Sequence, residues 1–294
     1  MSKHPRMHMW LDGEWMESDE LHMVTGSHAF RYGLGWFETF RTWQGRVPSL
    51  AAHLNRLEGA ARWWGADPGD RLDPEIWRGR IEQLVSKNDH PDGEACIRLQ
   101  LLLHDGRFLD DRGSVNRSSG SLLLTTAPLP PVRRMVDLVI GDTTALPNRT
   151  RPSRFKWSAR THYLLAEREA SRHGADDAIL LTTNGFVSET TRANLFWKQD
   201  DVIYTPDESC DLLPGLMRER LLQVIQTRPG WRVARGTYRP ESLEHANQVW
   251  LTNSLRGLEP VRQVDTRRYE VSSPFLDELG NRLREQLNRE LEQA

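Results

Sequence analysis

DDAILLTTNGFVSETTRANLFW, residues 176–197, is the stretch on which the fold turns. Its two apolar runs flank Asn184-Gly185, a pair that supplies the positive backbone dihedrals of a two-residue hairpin turn. The stretch therefore predicts two strands folded back on each other. The returning strand carries Glu189 toward the apolar run Ala193-Asn194-Leu195-Phe196-Trp197. A strand glutamate ordinarily lies on the solvated face. The alternative is that a cation waits beneath it, and the rest of the chain has to say which.

The chain has 294 residues, 38% of them apolar and 27% charged, with a net charge of −2. That is enough for one large domain or two ordinary ones, with an ample core. The near-neutral balance excludes a general attraction to nucleic acid or to acidic membranes. The positive charge is nearly all arginine, because lysine appears only at Lys3, Lys87, Lys156 and Lys198. Among the basic side chains only lysine readily loses its proton to act as an amine nucleophile. Cys96 and Cys210 are too few for a disulfide framework and form no CxxC, which fits a reducing cytoplasm. MSKHPRMHMWLDGEW, at the N-terminus, has no apolar core of signal-peptide length. No stretch approaches the ~20 apolar residues of a membrane span. A cytoplasmic location is expected.

Working outward, MWLDGEWM reads as a short strand pair, and the segment 27–50 as a loop feeding a strand over Trp36–Trp43. A turn at Gln44-Gly45 and a short return strand follow. Leu50, Leu54, Leu57, Ala61 and Trp64 recur at helical spacing and predict a helix ending near Gly65. PEIWRGRIEQLVSKN predicts a second amphipathic helix, and EACIRLQLLLHDG and SGSLLLTTAPLP two strands. The paired prolines of APLPPVRR favour an extended linker. The expected division is a small domain over 1–127, a linker at 128–134 and a larger domain over 135–294. In the latter, MVDLVIGD is a strand and RTHYLLAEREASRHG a helix stopped by Gly174. VIYTP is a strand, and LPGLMRERLLQVIQTRPG is a helix opened by Pro214-Gly215 and running to Gly230. NQVWLTNSLRGLEPVRQVD reads as a strand leading into a loop, and the chain closes on the capped amphipathic helix SPFLDELGNRLREQLNRELEQ.

The common nucleotide signatures, the zinc motifs HExxH and CxxC, and a serine-nucleophile elbow are all absent. The ten histidines show no ligand spacing, so no metal site is expected. What remains suits pyridoxal phosphate, whose chemistry needs a lysine, an anion beside the pyridine nitrogen and a cup for the phosphate. Lys156 sits between Phe155 and Trp157, where a partly desolvated amine would have a lowered pKa; a surface lysine on a loop is the other reading. Glu189 is the candidate partner of the ring nitrogen. LPGLMR, residues 213–218, offers backbone N–H groups at a helix start, with Gly215 permitting close approach. Arg56 could add a charge-assisted contact and Ser254 a hydroxyl. Each also has a plain reading as a helix cap, an exposed helix arginine or a turn serine.

In order, YGLGWFETFR, HLNRL, the isolated Lys156, GADDAILLTTNGFVSETTRANLFW, VIYTP, LPGLMR and TNSLRGLEPV resemble the class IV, fold-type IV pyridoxal-phosphate enzymes. That group holds branched-chain and D-amino-acid aminotransferases, R-selective amine transaminases and 4-amino-4-deoxychorismate lyase. The resemblance runs from about residue 10 to 265. It implies an α+β, D-amino-acid-aminotransferase-like chain of two domains, a small N-terminal α/β domain and a larger pseudo-barrel domain. It also implies a homodimer whose active site is completed by the partner's loop. Lys156 would be the Schiff-base and proton-transfer lysine, Glu189 the holder of the ring nitrogen and Arg56 a phosphate ligand. Leu213 would pack on the ring face, and the amides of Leu216 and Met217 with the Ser254 hydroxyl would complete the cup. Many transaminases of this class have threonine where Met217 stands, which removes one hydroxyl. Tyr32, Phe37, Arg98, Arg160 and Leu255 are the candidate substrate residues.

The implied reactions are transamination between an amino donor and a 2-oxo acid, or the lyase reaction giving 4-aminobenzoate and pyruvate. FETFR, Arg160 four residues after Lys156, GLMR and TNSLRGLEPV resemble the lyases more. ACIRLQLL resembles the branched-chain pattern, in which an arginine at the place of Arg98 reads a substrate carboxylate; a strand-edge surface arginine is the alternative. HDGRFLDDRG departs from the lyase and D-amino-acid patterns.

Overall fold

The computed structural model describes residues 6–22, 25–43, 45–66, 69–104, 120–131, 133, 135–145, 147 and 149–293. The chain forms two compact units, the first from Met1–Pro130, Phe155–Ala159 and Glu290–Ala294, the second from Pro131–Arg154 and Arg160–Arg289. A continuous second domain over 135–294 was expected. Instead the chain crosses between Pro130 and Pro131 and revisits the first unit twice.

The first unit contains β1 (His8–Leu11), β2 (Glu14–Glu17), α1 (His28–Tyr32), β3 (Gly35–Arg41), α2 (Leu50–Trp63), α3 (Pro74–Lys87), β4 (Cys96–Leu103) and β5 (Gly120–Ala127). The strands form one sheet in the order β2-β1-β5-β4-β3. Strict alternation in β4 buries Ile97, Leu99, Leu101 and Leu103 on one face and sends Arg98 and Gln100 to the other. Leu50, Leu54, Leu57 and Ala61 of α2 join Trp77, Ile81 and Leu84 of α3 on that first face. Each buried leucine contributes about 1.5–3 kcal/mol. Asp73 caps α3 through Glu75 N at 2.8 Å, with Pro74 at its first position. Part of the segment read as a loop is the helix α1, capped by the Ser27 hydroxyl on Phe30 N and ended by Gly33 at φ 65°. Gln44 of the expected turn, and most of HDGRFLDDRG, lie outside the described residues, as do Val132 and Arg134 of the expected linker.

The second unit contains β6 (Val136–Thr144), α4 (Thr161–Arg172), β7 (Asp177–Leu181), β8 (Val187–Thr190), β9 (Asn194–Gln199), β10 (Val202–Pro206), α5 (Leu216–Gln226), β11 (Arg232–Gly236), β12 (Gln248–Asn253), β13 (Gly257–Val264), β14 (Arg267–Arg268) and most of α6 (Pro274–Gln293). Its sheet runs β11-β10-β9-β12-β13-β6-β7-β8, with β14 on β13. Only three residues separate β8 from β9, yet four strands lie between them in that order. The sheet therefore curls, as a half-barrel, until its β8 end meets β9.

Several elements differ from the sequence expectation. The 182–186 hairpin is not a two-residue turn: Thr182 pairs with Phe186, and only Gly185 of the dipeptide has positive φ, at 76°. That is the three-residue loop ending in a left-handed glycine. The returning strand stops at Thr190, where the Thr190 hydroxyl donates to Ala193 O three residues on and the Thr191 hydroxyl donates to the Asp177 carboxylate of β7. Helix α5 ends at Gln226, ahead of Pro229, rather than at Gly230. NQVWLTNSLRGLEPVRQVD is two paired strands, with Trp250 opposite Pro260. RVARG, unassigned in the sequence, pairs parallel to β10 as β11.

Candidate active site

Two groups of side chains collect the predicted residues, one in each unit. In the first unit, residues 156–158 lie along the outer edge of β3. Phe37 N donates to Lys156 O at 2.9 Å and Ser158 N to Gly35 O at 2.9 Å, with Trp36 opposite Trp157. Alternation then fixes the lysine. Phe155 and Trp157 enter the core, where Trp157 meets Trp36 at 5.1 Å and Phe155 meets Trp63 at 5.7 Å. Lys156 is left on the opposite face. The two aromatic neighbours thus anchor the backbone rather than desolvating the amine. Phe37 faces the amine, with Nζ 4.9 Å from its ring centre. Arg98 lies against the same ring at 3.8 Å. Since β4 is flanked by β3 and β5, Arg98 is not on a sheet edge.

Arg56 stands on α2 and meets the core face of β3. Its Nε and Nη2 donate to Glu38 at 2.8 and 2.7 Å, and His53 Nδ1 donates to the same carboxylate at 2.7 Å. Burial pushes the Glu38 carboxyl up, but Arg56, by charge and hydrogen bond, and then His53 bring it down to about 2. Tyr32 is exposed on α1.

In the second unit Glu189 is buried, 5% exposed, so it does not lie on a solvated face. Tyr163 of α4 donates to Oε1 at 2.7 Å and Asn194 Nδ2 to Oε2 at 3.1 Å. Asn194 Nδ2 also donates to Leu213 O at 2.8 Å. Burial, then the Glu189 charge and hydrogen bond, push the Tyr163 hydroxyl well above its ordinary value, so it stays a donor. The Arg160 guanidinium lies 4.0 Å from the Tyr163 ring centre and bonds Thr191 O. Arg151 donates to His162 Nε2 at 3.3 Å. Burial and the charges of Arg151 and Arg160 lower His162 to about 4, so it is a neutral acceptor.

Gly215 opens α5 and offers no side chain to cap it. A Cβ at this position would lie 2.1 Å from Asn194 Oδ1. The close approach that demands glycine is therefore the amide of Asn194. Leu216 and Met217 form the amino end of an eleven-residue helix, a place suited to a phosphate. Ser254 and Leu255 sit in the turn between β12 and β13, where Asn253 Oδ1 accepts from Leu255 N at 3.0 Å and Arg256 N at 2.9 Å. Asn253 Nδ2 donates to the buried Glu259 at 3.2 Å, which ties this turn to β13.

Within the second unit, a buried carboxylate fixed from both oxygens and a helix amino end fit the ring nitrogen and the phosphate of a phosphorylated pyridine; within the first, Lys156 stands on an ordered strand edge. Among the described residues no cluster of His, Cys, Asp and Glu could hold a metal ion, and no helix is long and apolar enough to cross a membrane. Sequence reasoning gave no role to Tyr163, Asn194, Glu38 or His53. The signal was present: Asn194 and Glu38 are polar residues inside aromatic and apolar strand runs, and buried polar groups need partners.

A model of the class IV amino-transferase family matches residues 35–264. The chain is 27% identical over 274 residues to an aminodeoxychorismate lyase of Bacillus subtilis (strain 168), across 90% of this chain and 89% of that protein. It is 26% identical over 277 residues to a branched-chain-amino-acid aminotransferase of Escherichia coli (strain K12), across 88% and 85%. The crystal structure of a branched-chain aminotransferase from Thermoproteus uzoniensis with norvaline superposes with a TM-score of 0.84 at 23% identity, covering 96% of this chain and 95% of that one.

Proposed function

We propose, for a chain that belongs to the class IV amino-transferase family, that it is a transaminase moving an amino group between an amino acid or amine and a 2-oxo acid. The family depends on pyridoxal 5′-phosphate. When bound, that cofactor supplies an aldehyde for amines and a ring that accepts the electrons left by a departing α-proton. Lys156 would hold it covalently, and its Nζ would take the α-proton. Glu189 keeps a proton on the ring nitrogen. Leu213 packs on the ring face. Arg56, the Ser254 hydroxyl and the amides of Leu216 and Met217, with Gly215 at the helix start, bind the phosphate. Tyr32, Phe37, Arg98, Arg160 and Leu255 shape the substrate site, and two chains pair in the cytoplasm to complete it.

One observation carries transamination over the lyase reaction: Arg98 and Lys156 lie against one ring, at 3.8 and 4.9 Å from the centre of Phe37. A guanidinium there suits a substrate carboxylate, the use an arginine at this place has in the branched-chain pattern that ACIRLQLL resembles. The lyase reading rests on Arg160, which packs on Tyr163 next to Glu189, and gives 4-aminobenzoate and pyruvate. Incubation with an amino-acid panel plus 2-oxoglutarate or pyruvate, and separately with aminodeoxychorismate, separates the two. Transfer to the added 2-oxo acid, with the aminated cofactor seen in the spectrum, is the expected result. Pyruvate and 4-aminobenzoate formed with no 2-oxo acid added would replace it with the lyase.

A further inference from the structure

We propose that Tyr163 and Asn194 are positioning residues that make Glu189 the weaker base toward the cofactor's ring nitrogen, so that the proton they share stays on nitrogen. The inference rests on the assignment of Glu189 above and adds the device that tunes it. Both carboxylate oxygens are engaged, Oε1 by the Tyr163 hydroxyl at 2.7 Å and Oε2 by Asn194 Nδ2 at 3.1 Å. Hydrogen bonds donated to a carboxylate stabilise its charged form and lower its affinity for a proton. Each oxygen has two lone pairs, so a third donor is still accommodated.

The orientation of the Asn194 amide is decided by its surroundings. Nδ2 faces two acceptors, Glu189 and Leu213 O at 2.8 Å, while Oδ1 fills the space a side chain at Gly215 would occupy. A flipped amide would set its oxygen against a carboxylate and a carbonyl. Asn194 therefore couples two functions along a short path. One end of its amide fixes the acid and the other rests on the glycine that opens the proposed phosphate cup. Arg160, Arg151 and His162, on α4 and the loop before it, are charged or titratable groups on this side of Glu189. Arg160 acts through the Tyr163 ring, Arg151 acts through space, and His162 is neutral against Arg151. Tyr163 is a donor at every working pH because burial and the neighbouring carboxylate hold its proton.

The test loads wild type, Tyr163→Phe and Asn194→Ser with pyridoxal 5′-phosphate isotopically labelled at the ring nitrogen and reads that nitrogen's chemical shift across pH. Wild type should show a protonated nitrogen. In each variant the signal should move toward the unprotonated position, and further in the double variant. Affinity of the apoprotein for the cofactor should fall about tenfold per lost donor, as expected for a hydrogen bond to a charged group. Variants that load cofactor with the wild-type nitrogen signal would overturn the proposal, as would an unprotonated nitrogen in wild type. Tyr163→Phe preserves packing, and Asn194→Ser decides the matter if it does not fold. Failure of the underlying assignment looks different: wild-type protein then binds no cofactor, or Glu189→Gln leaves the nitrogen signal unmoved.

Discussion

Glu38 in the first unit and Glu189 in the second are equally hidden carboxylates, 1% and 5% exposed, that keep different company. Glu38 is clamped by Arg56 through two hydrogen bonds and by His53 through a third. Its charge is matched by a fixed cation, and its depressed pKa, about 2, records that. Glu189 accepts instead from a phenol and an amide, donors that orient a carboxylate without adding positive charge. Burial alone does not say what an acid is for. A carboxylate bonded to a guanidinium holds α2 to β3. One oriented by a phenol and an amide is held without a guanidinium clamped on it by those bonds.

That contrast can be broken experimentally. Lys156→Ala should have the largest effect, removing both turnover and the absorbance near ~420 nm of the lysine-bound cofactor. Retention of that band would overturn the assignment of Lys156 as the lysine that holds the cofactor. Glu38→Gln should cost about 3–5 kcal/mol in chemical denaturation, because it leaves the Arg56 charge uncompensated. The same pairing sets a pH dependence. With the folded pKa below the ordinary 4.5, its stabilisation is whole above pH 4.5. It is lost as pH falls toward 2, worth about 3 kcal/mol. A denaturant midpoint that did not drop across this window in wild type would remove the ionic account of Glu38. Glu189→Gln should do the reverse: an unfolding midpoint near wild type, cofactor retained, and turnover down roughly a hundred- to a thousandfold. If it unfolds the protein as Glu38→Gln does, the two acids are alike and the distinction fails. Gly215→Ala has the smallest expected effect, about 1–3 kcal/mol from overpacking against Asn194 Oδ1, read as a lower midpoint with weaker cofactor uptake. An alanine that is neutral in both measurements would separate the acid from the helix start.

Much of this is legible in the sequence. Leu50, Leu54, Leu57 and Ala61 announce α2 by spacing, and the alternation of Ile97, Leu99, Leu101 and Leu103 announces β4. The order of Arg56, Lys156, Glu189 and LPGLMR pointed to one cofactor. What stayed hidden has local causes. Thr190 and Thr191 end a strand that β propensity would continue, and their hydroxyls donate to Ala193 O and the Asp177 carboxylate. The three-residue hairpin at 182–186 is indistinguishable by composition from the two-residue turn Asn184-Gly185 suggests. Lys156 lies between two aromatics in the sequence, yet they face the other way, because an edge segment alternates and its neighbours belong to the core.

Side-chain type and period belong to the sequence alone: which segments are apolar on one face, which residue is the isolated lysine, which acid enters an apolar strand. These follow from local geometry, 3.6 residues per helical turn and two per strand repeat. Partners belong to the tertiary structure. Tyr163 meets Glu189 from 26 residues away, and Asn194 meets Gly215 only because a curled sheet returns β9 to the strand that carries the acid. No periodicity encodes such meetings; they exist only once the sheet has curled and excluded water.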